Sequence, residues 1–144
     1  MMNRIWSWTK TGIKCGSILY CIQNFGVSIV VCCGHSMENT LSDKDVILVD
    51  RFSLRYHEFN EDYLRNKVVI CRDPRNPNVL VCKRVTWTSS DSGFFTHRIP
   101  KGCVYLMGDS RNNSKDSRDY GPVPIGLIQG VVIFRIWPSL HKIV

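Results

Sequence analysis

Acidic residues are absent from the start of the chain. The first carboxylate is Glu38, and the charged residues before it are Arg4, Lys10 and Lys14. The whole chain has 144 residues and a formal net charge of +7. A modest basic excess of this kind suits a polyanion or an anionic membrane surface, but it is common and does not choose between them.

Motifs typical of metal sites and nucleic-acid interfaces are missing as well. None of the seven cysteines forms a Cys-x-x-Cys pair, which excludes zinc-ribbon and thioredoxin-type sites. The four histidines lack metal-binding spacing, and no basic cluster is interleaved with aromatic residues. We therefore expect no metal, no cofactor and no nucleic-acid partner. The odd cysteine count leaves at least one thiol unpaired within the chain, and we expect most cysteines to be small buried hydrophobic residues.

Disorder and repetition are absent too. Hydrophobic residues make up 44% of the chain and charged residues 22%, which are the values of a globular protein. No internal repeat or heptad pattern occurs, and the length suits one compact domain.

An uncharged stretch of 20 residues, 15–34, lies between Lys14 and His35. A helix of that length spans ~30 Å, about one hydrocarbon core. Glycines and polar residues such as Gln23 and Asn24 dilute it, so a buried helix of a soluble domain is an alternative, and a cleaved signal peptide a weaker one. The favoured prediction is a basic segment over 1–14, a membrane anchor over 15–34 and one domain over 35–144.

The remainder of the chain has the pattern of a β domain. Short runs rich in β-branched residues predict strands, two prolines within 72–78 predict a turn, and residues 55–65 predict the one short helix. We therefore expect a mainly β fold with an antiparallel sheet and one N-terminal transmembrane helix. The predicted strands are Val46–Val49, Lys67–Cys71, Val79–Trp87, Cys103–Met107 and Val131–Ile136.

One face of the predicted strand Val79–Trp87 carries a single polar residue, Lys83, among valines and Trp87. If that face packs into the core, burial disfavours the ammonium and lowers the lysine pKa. A neutral lysine can then act as a general base. The alternative is a sheet edge from which Lys83 reaches water.

Ser36 lies in an irregular stretch just before the first predicted strand. A serine hydroxyl becomes a nucleophile only beside a base, and Ser–Lys pairs are one such arrangement. Taken alone, Ser36 is a loop or capping serine. His57 and His97 stay open as the base of a histidine triad, whereas His35 is adjacent to Ser36 and points to the opposite face.

The segment 108–124, GDSRNNSKDSRDYGPVP, is too polar for a core element. It predicts a loop with local hydrogen bonds from Asp, Ser and Asn. The functional interpretation is a rigid network beside a site, with Ser114 and the Asp116/Arg118 pair as members. The alternative is a solvated surface loop.

Three segments in order carry a resemblance to a known family. They are Ser36-Met37 after the uncharged span, the strand motif Lys-Arg-Val from Lys83, and Gly-Asp-x-Arg-x-Asn-Ser-x-Asp-Ser-Arg from Gly108 to Arg118. This set resembles the type I signal peptidases, the membrane-anchored Ser/Lys endopeptidases. The short chain and the ending Ile136–Pro138 are similar to the mitochondrial inner membrane branch.

The resemblance implies an antiparallel β domain with an extended cleft that takes the precursor as an added strand. It implies that Ser36 is the nucleophile, with its N–H in the oxyanion hole, and that Lys83 is the general base. Ser114 would orient the lysine amine, and Asp116 and Arg118 would form a supporting ion pair.

Three further positions can be compared with the family pattern: one matches it and two differ from it. Met37 matches a wall residue of the cleft. Gly34 stands in the site-supporting position from which some relatives supply a hydroxyl to the oxyanion hole, and it cannot supply one. Asn39 replaces the usual proline, which puts the rigidity of the turn in doubt.

The function implied is removal of sorting segments from precursor proteins. The acid-free N-terminus would favour the matrix side, which places the catalytic domain in the intermembrane space, a compartment that allows some disulfides. The implied partners are a second homologous protease subunit, precursor polypeptides and membrane lipid. The alternatives are a catalytically weak structural subunit and a bacterial-type signal peptidase, while Lys83 argues against the endoplasmic-reticulum type, which commonly uses histidine there.

Overall fold

The computed structural model describes residues 13–14, 16–17, 20, 26–57, 60–91 and 99–143. Its strands form one antiparallel sheet in the order β1-β2-β7-β3-β4-β5-β6, with β8 paired to β7. The mainly antiparallel β fold is thereby confirmed. The strands are β1 (Val27–Val31), β2 (Val46–Asp50), β3 (Val68–Asp73), β4 (Asn76–Thr88), β5 (Cys103–Met107), β6 (Val123–Pro124), β7 (Ile128–Trp137) and β8 (His141–Lys142).

The helices whose bounds the structure describes are short. They are α1 (Phe52–Tyr56), α2 (Glu61–Leu64) and α3 (Ser117–Tyr120), together with 3-10 turns at Ser89–Asp91, Arg111–Asn113 and Ile125–Leu127. The single predicted helix over 55–65 is therefore wrong in extent, because Tyr56 ends one helix and Glu61 begins another. The N-cap Asn60, whose side chain accepts a hydrogen bond from the Asp62 N–H, marks the second start.

Strand β3 is buried on both faces of the sheet. Val69 and Cys71 belong to one hydrophobic cluster, whereas Val68 and Ile70 belong to a second cluster together with Met37. Side chains alternate along a strand, so an unbroken apolar run can fill two layers at once. The sheet thus has a packed core on each side, and β4, next to β3, continues both layers.

All five predicted strands are found, with longer bounds for several. The predicted turn over 72–78 narrows to residues 74–75, because β4 already begins at Asn76. Within β4, Lys83 and Val85 are buried on one face as predicted, whereas Val79 on the same face is 44% exposed. This face of β4 is therefore buried in the middle of the strand but exposed at its start.

The C-terminal part of the predicted anchor is corrected by the structure. Residues Val27–Val31 form β1 and pair with β2, so they belong to the β domain. Pairing continues beyond the strand, since the Cys32 N–H donates to the Asp45 carbonyl at 2.8 Å. The rest of the anchor and the basic segment lie mostly outside the described residues, and no helix found among the described residues is long and apolar enough to cross a membrane.

Candidate active site

Lys83 lies in the middle of β4, only 4% exposed. Its Nζ donates a hydrogen bond to Ser114 Oγ at 2.9 Å. Burial disfavours the ammonium and lowers the pKa of Lys83, while the negative charge of Asp116 opposes this. The amine is therefore held at one point and shifted toward its neutral form.

Ser114 connects the lysine to a buried carboxylate. Its hydroxyl donates to Asp116 Oδ2 at 2.9 Å, and the same oxygen accepts from the Gly108 N–H at 3.0 Å. Arg118 closes the network with two hydrogen bonds, from Nε at 2.8 Å and from an Nη at 2.9 Å. The structure thus brings Lys83, Ser114, Asp116 and Arg118 together in one hydrogen-bonded network.

Asp116 is fully buried and stays ionised. Burial alone would raise its pKa, but the hydrogen bonds from Arg118, Gly108 and Ser114 outweigh burial and hold the pKa well below its usual range. The sequence supports this locally, because Asp116 is the N-cap of α3 and Asp119 completes a capping box with it. One carboxylate therefore caps a helix and anchors the serine next to Lys83.

Gly108 brings Ser36 to this network. A Cβ placed on Gly108 would lie 2.2 Å from Ser114 Oγ and 2.5 Å from the Ser36 carbonyl oxygen. That carbonyl also accepts from the Ser110 N–H at 3.0 Å. Ser36 therefore packs beside Ser114, although within the described part of the chain its hydroxyl makes no hydrogen bond to Lys83. Catalytic hydrogen bonds are often long before substrate binds.

Replacement of Gly108 by alanine is expected to destabilise the fold. The new methyl group would meet a backbone oxygen that cannot rotate away, so the free energy of unfolding should fall by about 1–3 kcal/mol. Gly126→Ala is the matched control, because no atom lies within 4 Å of the point that its Cβ would occupy. Urea denaturation measures both variants, and equal stability of the two would contradict the close packing.

A second network, which sequence reasoning missed, fixes the turn after Ser36. Arg84 forms two hydrogen bonds to the Asp109 carboxylate, at 3.0 and 2.9 Å, and Thr40 Oγ1 donates to the same group. Asn39 Nδ2 donates to the Asp109 carbonyl at 2.9 Å. Asn39 thus ties the turn to the Gly-Asp segment by a side-chain bond. The signal was the charged pair Arg84 and Asp109, each adjacent to a residue already singled out.

Gly34 and Met37 lie on the two sides of Ser36. Gly34 has φ +98°, a left-handed conformation that favours glycine, and its N–H donates to Asp43 Oδ1 at 2.8 Å. Met37 is 3% exposed and packs in the cluster of Leu41 and Ile70. Gly34 therefore shapes the turn, and Met37 fixes it to the core.

A cavity of about 500 Å³ opens beside Ser36. The segment 30–34 lines one side, and the start of β4 lines the other, with Met37, Leu41 and Ile70 between them. In the described residues β1 pairs on one side only, with β2, and β4 pairs with β5 only from Arg84 onward. Two strand edges with unpaired backbone groups therefore border the cavity.

The described histidines give no support to a histidine base. His35 contacts Glu38 at the surface, with Nδ1 3.4 Å from Oε1. The His57 ring stacks on Tyr63, with ring centroids 3.8 Å apart. His97 lies outside the described residues. No group of three or more His, Cys, Asp or Glu side chains that could hold a metal occurs among the residues described.

Comparison with known proteins identifies the family of the chain. The family model "Signal peptidase, peptidase S26" matches residues 5–92 and 86–137. The chain belongs to this family. Human mitochondrial inner membrane protease subunit 1 is 37% identical over 135 residues, which cover 88% of this chain and 79% of the relative.

Two further relatives show the breadth of the similarity. Mitochondrial ATP-independent inner membrane protease subunit 1b of Arabidopsis thaliana is 40% identical over 117 residues, 73% of this chain and 67% of the relative. Mitochondrial inner membrane protease subunit 2 of Schizosaccharomyces pombe is 32% identical over 128 residues, 84% of this chain and 71% of the relative. The chain is thus a serine-type signal peptidase of family S26, and its relatives include subunits of both types.

Proposed function

We propose that this chain cleaves sorting segments from precursor proteins at the mitochondrial inner membrane, with Ser36 as nucleophile and Lys83 as general base. One observation carries the assignment. The buried Lys83 amine is hydrogen-bonded to Ser114, and both that serine and the Ser36 backbone carbonyl lie close to Gly108. Membership of family S26 and the names of the relatives support the reaction and the location.

The chemistry is acyl transfer in two steps. Neutral Lys83 takes the proton of Ser36 Oγ–H as the oxygen attacks the scissile carbonyl. The Ser36 N–H stabilises the oxyanion, where one donor contributes about 3–4 kcal/mol. The Lys83 ammonium then gives its proton to the leaving amine. In the second step the neutral Lys83 amine takes a proton from water as the water oxygen attacks the acyl-enzyme. The tetrahedral intermediate then collapses, the Ser36 oxygen leaves and takes that proton back from Lys83, and the product acid ionises to a carboxylate.

The cavity suits an extended peptide as substrate. Unpaired backbone N–H and C=O groups on β1 and the start of β4 can bond a strand added between them. Side chains of that strand would alternate toward the cavity floor formed by Met37, Leu41 and Ile70. The precursor would thereby lie across Ser36 with its scissile bond near the Oγ atom.

Ser114→Ala tests the positioning of Lys83. Loss of the Ser114 oxygen frees the amine to rotate, so kcat should fall by about 10–10²-fold with a smaller change in KM. The ammonium also loses an acceptor, so the pKa of Lys83 should fall. Since the base works when neutral, the acidic limb of kcat/KM against pH should move to lower pH. Steady-state rates across pH measure this, and an unmoved limb would contradict the contact.

The membrane attachment is proposed for the segment before Val27. Residues 15–26 alone would span ~18 Å as a helix, less than the ~30 Å hydrocarbon core, so residues up to and including Lys14 would have to contribute. Lysine can extend its ammonium to the interface from such a position. The basic, acid-free N-terminus favours a catalytic domain in the intermembrane space. Protease accessibility of the domain only after outer-membrane rupture would support this orientation.

The proposed partner is a second protease subunit of the same family, since relatives of both types match this chain. The defining experiment reconstitutes the chain in liposomes with and without that subunit and adds an inserted model precursor. Mass spectrometry of the new N-terminus identifies the cut. Cleavage at one defined bond, lost with Ser36→Ala, supports the proposal. If cutting depends on the second subunit alone and survives Ser36→Ala, this chain is a structural subunit.

A further inference from the structure

Two thiols face each other across the cavity that borders Ser36. Cys32 follows β1, and Cys82 precedes Lys83 on β4, and both residues line the cavity. An interaction between the two side chains lowers the pKa of Cys32 and raises that of Cys82. Both also pack against the cluster that contains Met37.

The backbone on each side of this pair is fixed. The Cys32 N–H donates to the Asp45 carbonyl at 2.8 Å, and its carbonyl accepts from the Lys44 N–H at 2.9 Å. Cys82 is paired with Ile70 in the β3–β4 ladder. The two thiols therefore stay opposite each other, and a bond between them would join the two sides of the cavity.

The neighbouring cysteines are poorer partners. Cys71 belongs to the hydrophobic cluster on the other face of the sheet from Cys82. Cys33 is exposed, and its side chain alternates away from that of Cys32. Cys103 is on β5, outside the cavity lining. Cys32 and Cys82 are the pair that the fold aligns.

The two thiols differ in reactivity. The interaction with Cys82 lowers the pKa of Cys32, against burial and the charges of Asp45 and Asp43. The same interaction and burial raise the pKa of Cys82. Because its pKa is lowered whereas that of Cys82 is raised, Cys32 supplies the first thiolate, and Cys82 resolves the intermediate.

We propose that Cys32 and Cys82 form a reversible disulfide that locks the two sides of the peptide cleft together, so that they cannot separate to admit a substrate strand, and thereby switches the peptidase off. The switching role rests on the proposed function of the site, whereas the disulfide itself does not. The bond would hold the segment after β1 against the start of β4, where the substrate strand is expected to lie. It would also restrain the residue next to Lys83.

The oxidant is a small-molecule disulfide such as oxidised glutathione. The Cys32 thiolate attacks one of its sulfurs, forms a mixed disulfide and releases one glutathione thiolate. Cys82 loses its proton to solvent, attacks Cys32 Sγ and releases the second glutathione. Two electrons pass from the protein thiols to the glutathione disulfide, and excess reduced glutathione reverses both exchanges.

The test equilibrates the purified full chain, with its partner subunit where activity requires it, in glutathione buffers of increasing oxidised fraction. Peptide mapping without reduction measures the Cys32–Cys82 link, and cleavage of a model precursor is followed in parallel. We expect the linked peptide to appear as kcat/KM falls by about 10²-fold, the loss expected for displaced substrate, with full recovery on reduction.

Variants separate the pair from the other thiols. Cys32→Ser and Cys82→Ser should each abolish the linked peptide and the oxidative loss of activity, expressed as the ratio of oxidised to reduced rate. Cys103→Ser is the matched control and should keep both. If Cys82→Ser fails to fold, the result for Cys32→Ser decides the test.

Each outcome has one meaning. Absence of the linked peptide in oxidised wild-type protein overturns the disulfide. A linked protein that cleaves at the reduced rate overturns the switch. A reduced protein that cleaves nothing refutes the proposed function. It also overturns the regulatory role, because a disulfide cannot switch off an activity that is absent. The peptide map still decides whether the Cys32–Cys82 disulfide forms.

Discussion

Ser36→Ala should lower kcat by about 10⁴-fold or more, because loss of the nucleophile removes the covalent route and leaves only substrate binding and the oxyanion donor. KM should change little, since the Ser36 side chain is small and the cavity walls are untouched. Single-turnover cleavage of a model precursor measures the rate. The Ser36 backbone stays in place, because the hydrogen bond from the Ser110 N–H to its carbonyl remains.

Ser42→Ala is the matched control for this variant. Ser42 lies six residues further along the same segment and is exposed to solvent. Its substitution should leave the cleavage rate and the unfolding midpoint within experimental error. A Ser36→Ala protein that still cleaves at near the wild-type rate would transfer the nucleophile role to another residue and refute the Ser/Lys assignment.

Lys83→Met should be nearly as damaging to catalysis and yet favourable for the fold. Methionine fills the volume of the lysine stem but cannot accept a proton, so kcat should fall by about 10³-fold or more. Lys83 is buried among apolar residues, where the ammonium is penalised, so its removal should raise the thermal midpoint. Opposite changes in activity and stability are the expected signature of a functional buried base.

Lys101→Met controls for the loss of a positive charge. Lys101 is exposed in the turn before β5, so neither rate nor midpoint should change appreciably. For wild-type protein, kcat/KM should rise with pH as Lys83 loses its proton, with a midpoint below the ordinary lysine value because burial lowers the pKa. If Lys83→Met kept this limb, a different group would be the base.

The strands that the sequence predicted well are those in which apolar residues follow a clear strand pattern. In β4, alternation from Val79 to Trp87 put Lys83 on the face that carries the valines, and the structure shows that Lys83 is buried there rather than at an open sheet edge. The polar composition of the segment around Ser114 predicted local hydrogen bonds, which the structure contains, but it did not predict the short helix Ser117–Tyr120 within that segment. These features depend on local patterns that a single segment carries in full.

The features that the sequence did not predict depend on contacts between residues that are far apart in the chain. Strand β1 has the apolar composition of an anchor, and only pairing with β2 shows that it is an edge strand. The hydrogen bonds between Arg84 and Asp109 join residues 25 positions apart, and no periodic pattern in the sequence indicates them. The closeness of Gly108 to Ser36 is likewise a tertiary contact, since glycine alone does not say which backbone approaches it.

Because β1 begins at Val27, only a short stretch of chain joins the proposed membrane segment to Ser36. Ser36 lies ten positions after Gly26, a reach of at most ~35 Å when fully extended, and five of the nine residues between them form β1 in the sheet. With the chain held in the bilayer before Val27, as proposed, Ser36 works at a nearly constant height above the lipid surface. Such a peptidase selects peptide bonds by their distance from the membrane. A bond is cut when that distance matches the height of Ser36, and an identical sequence farther from the membrane is not cut.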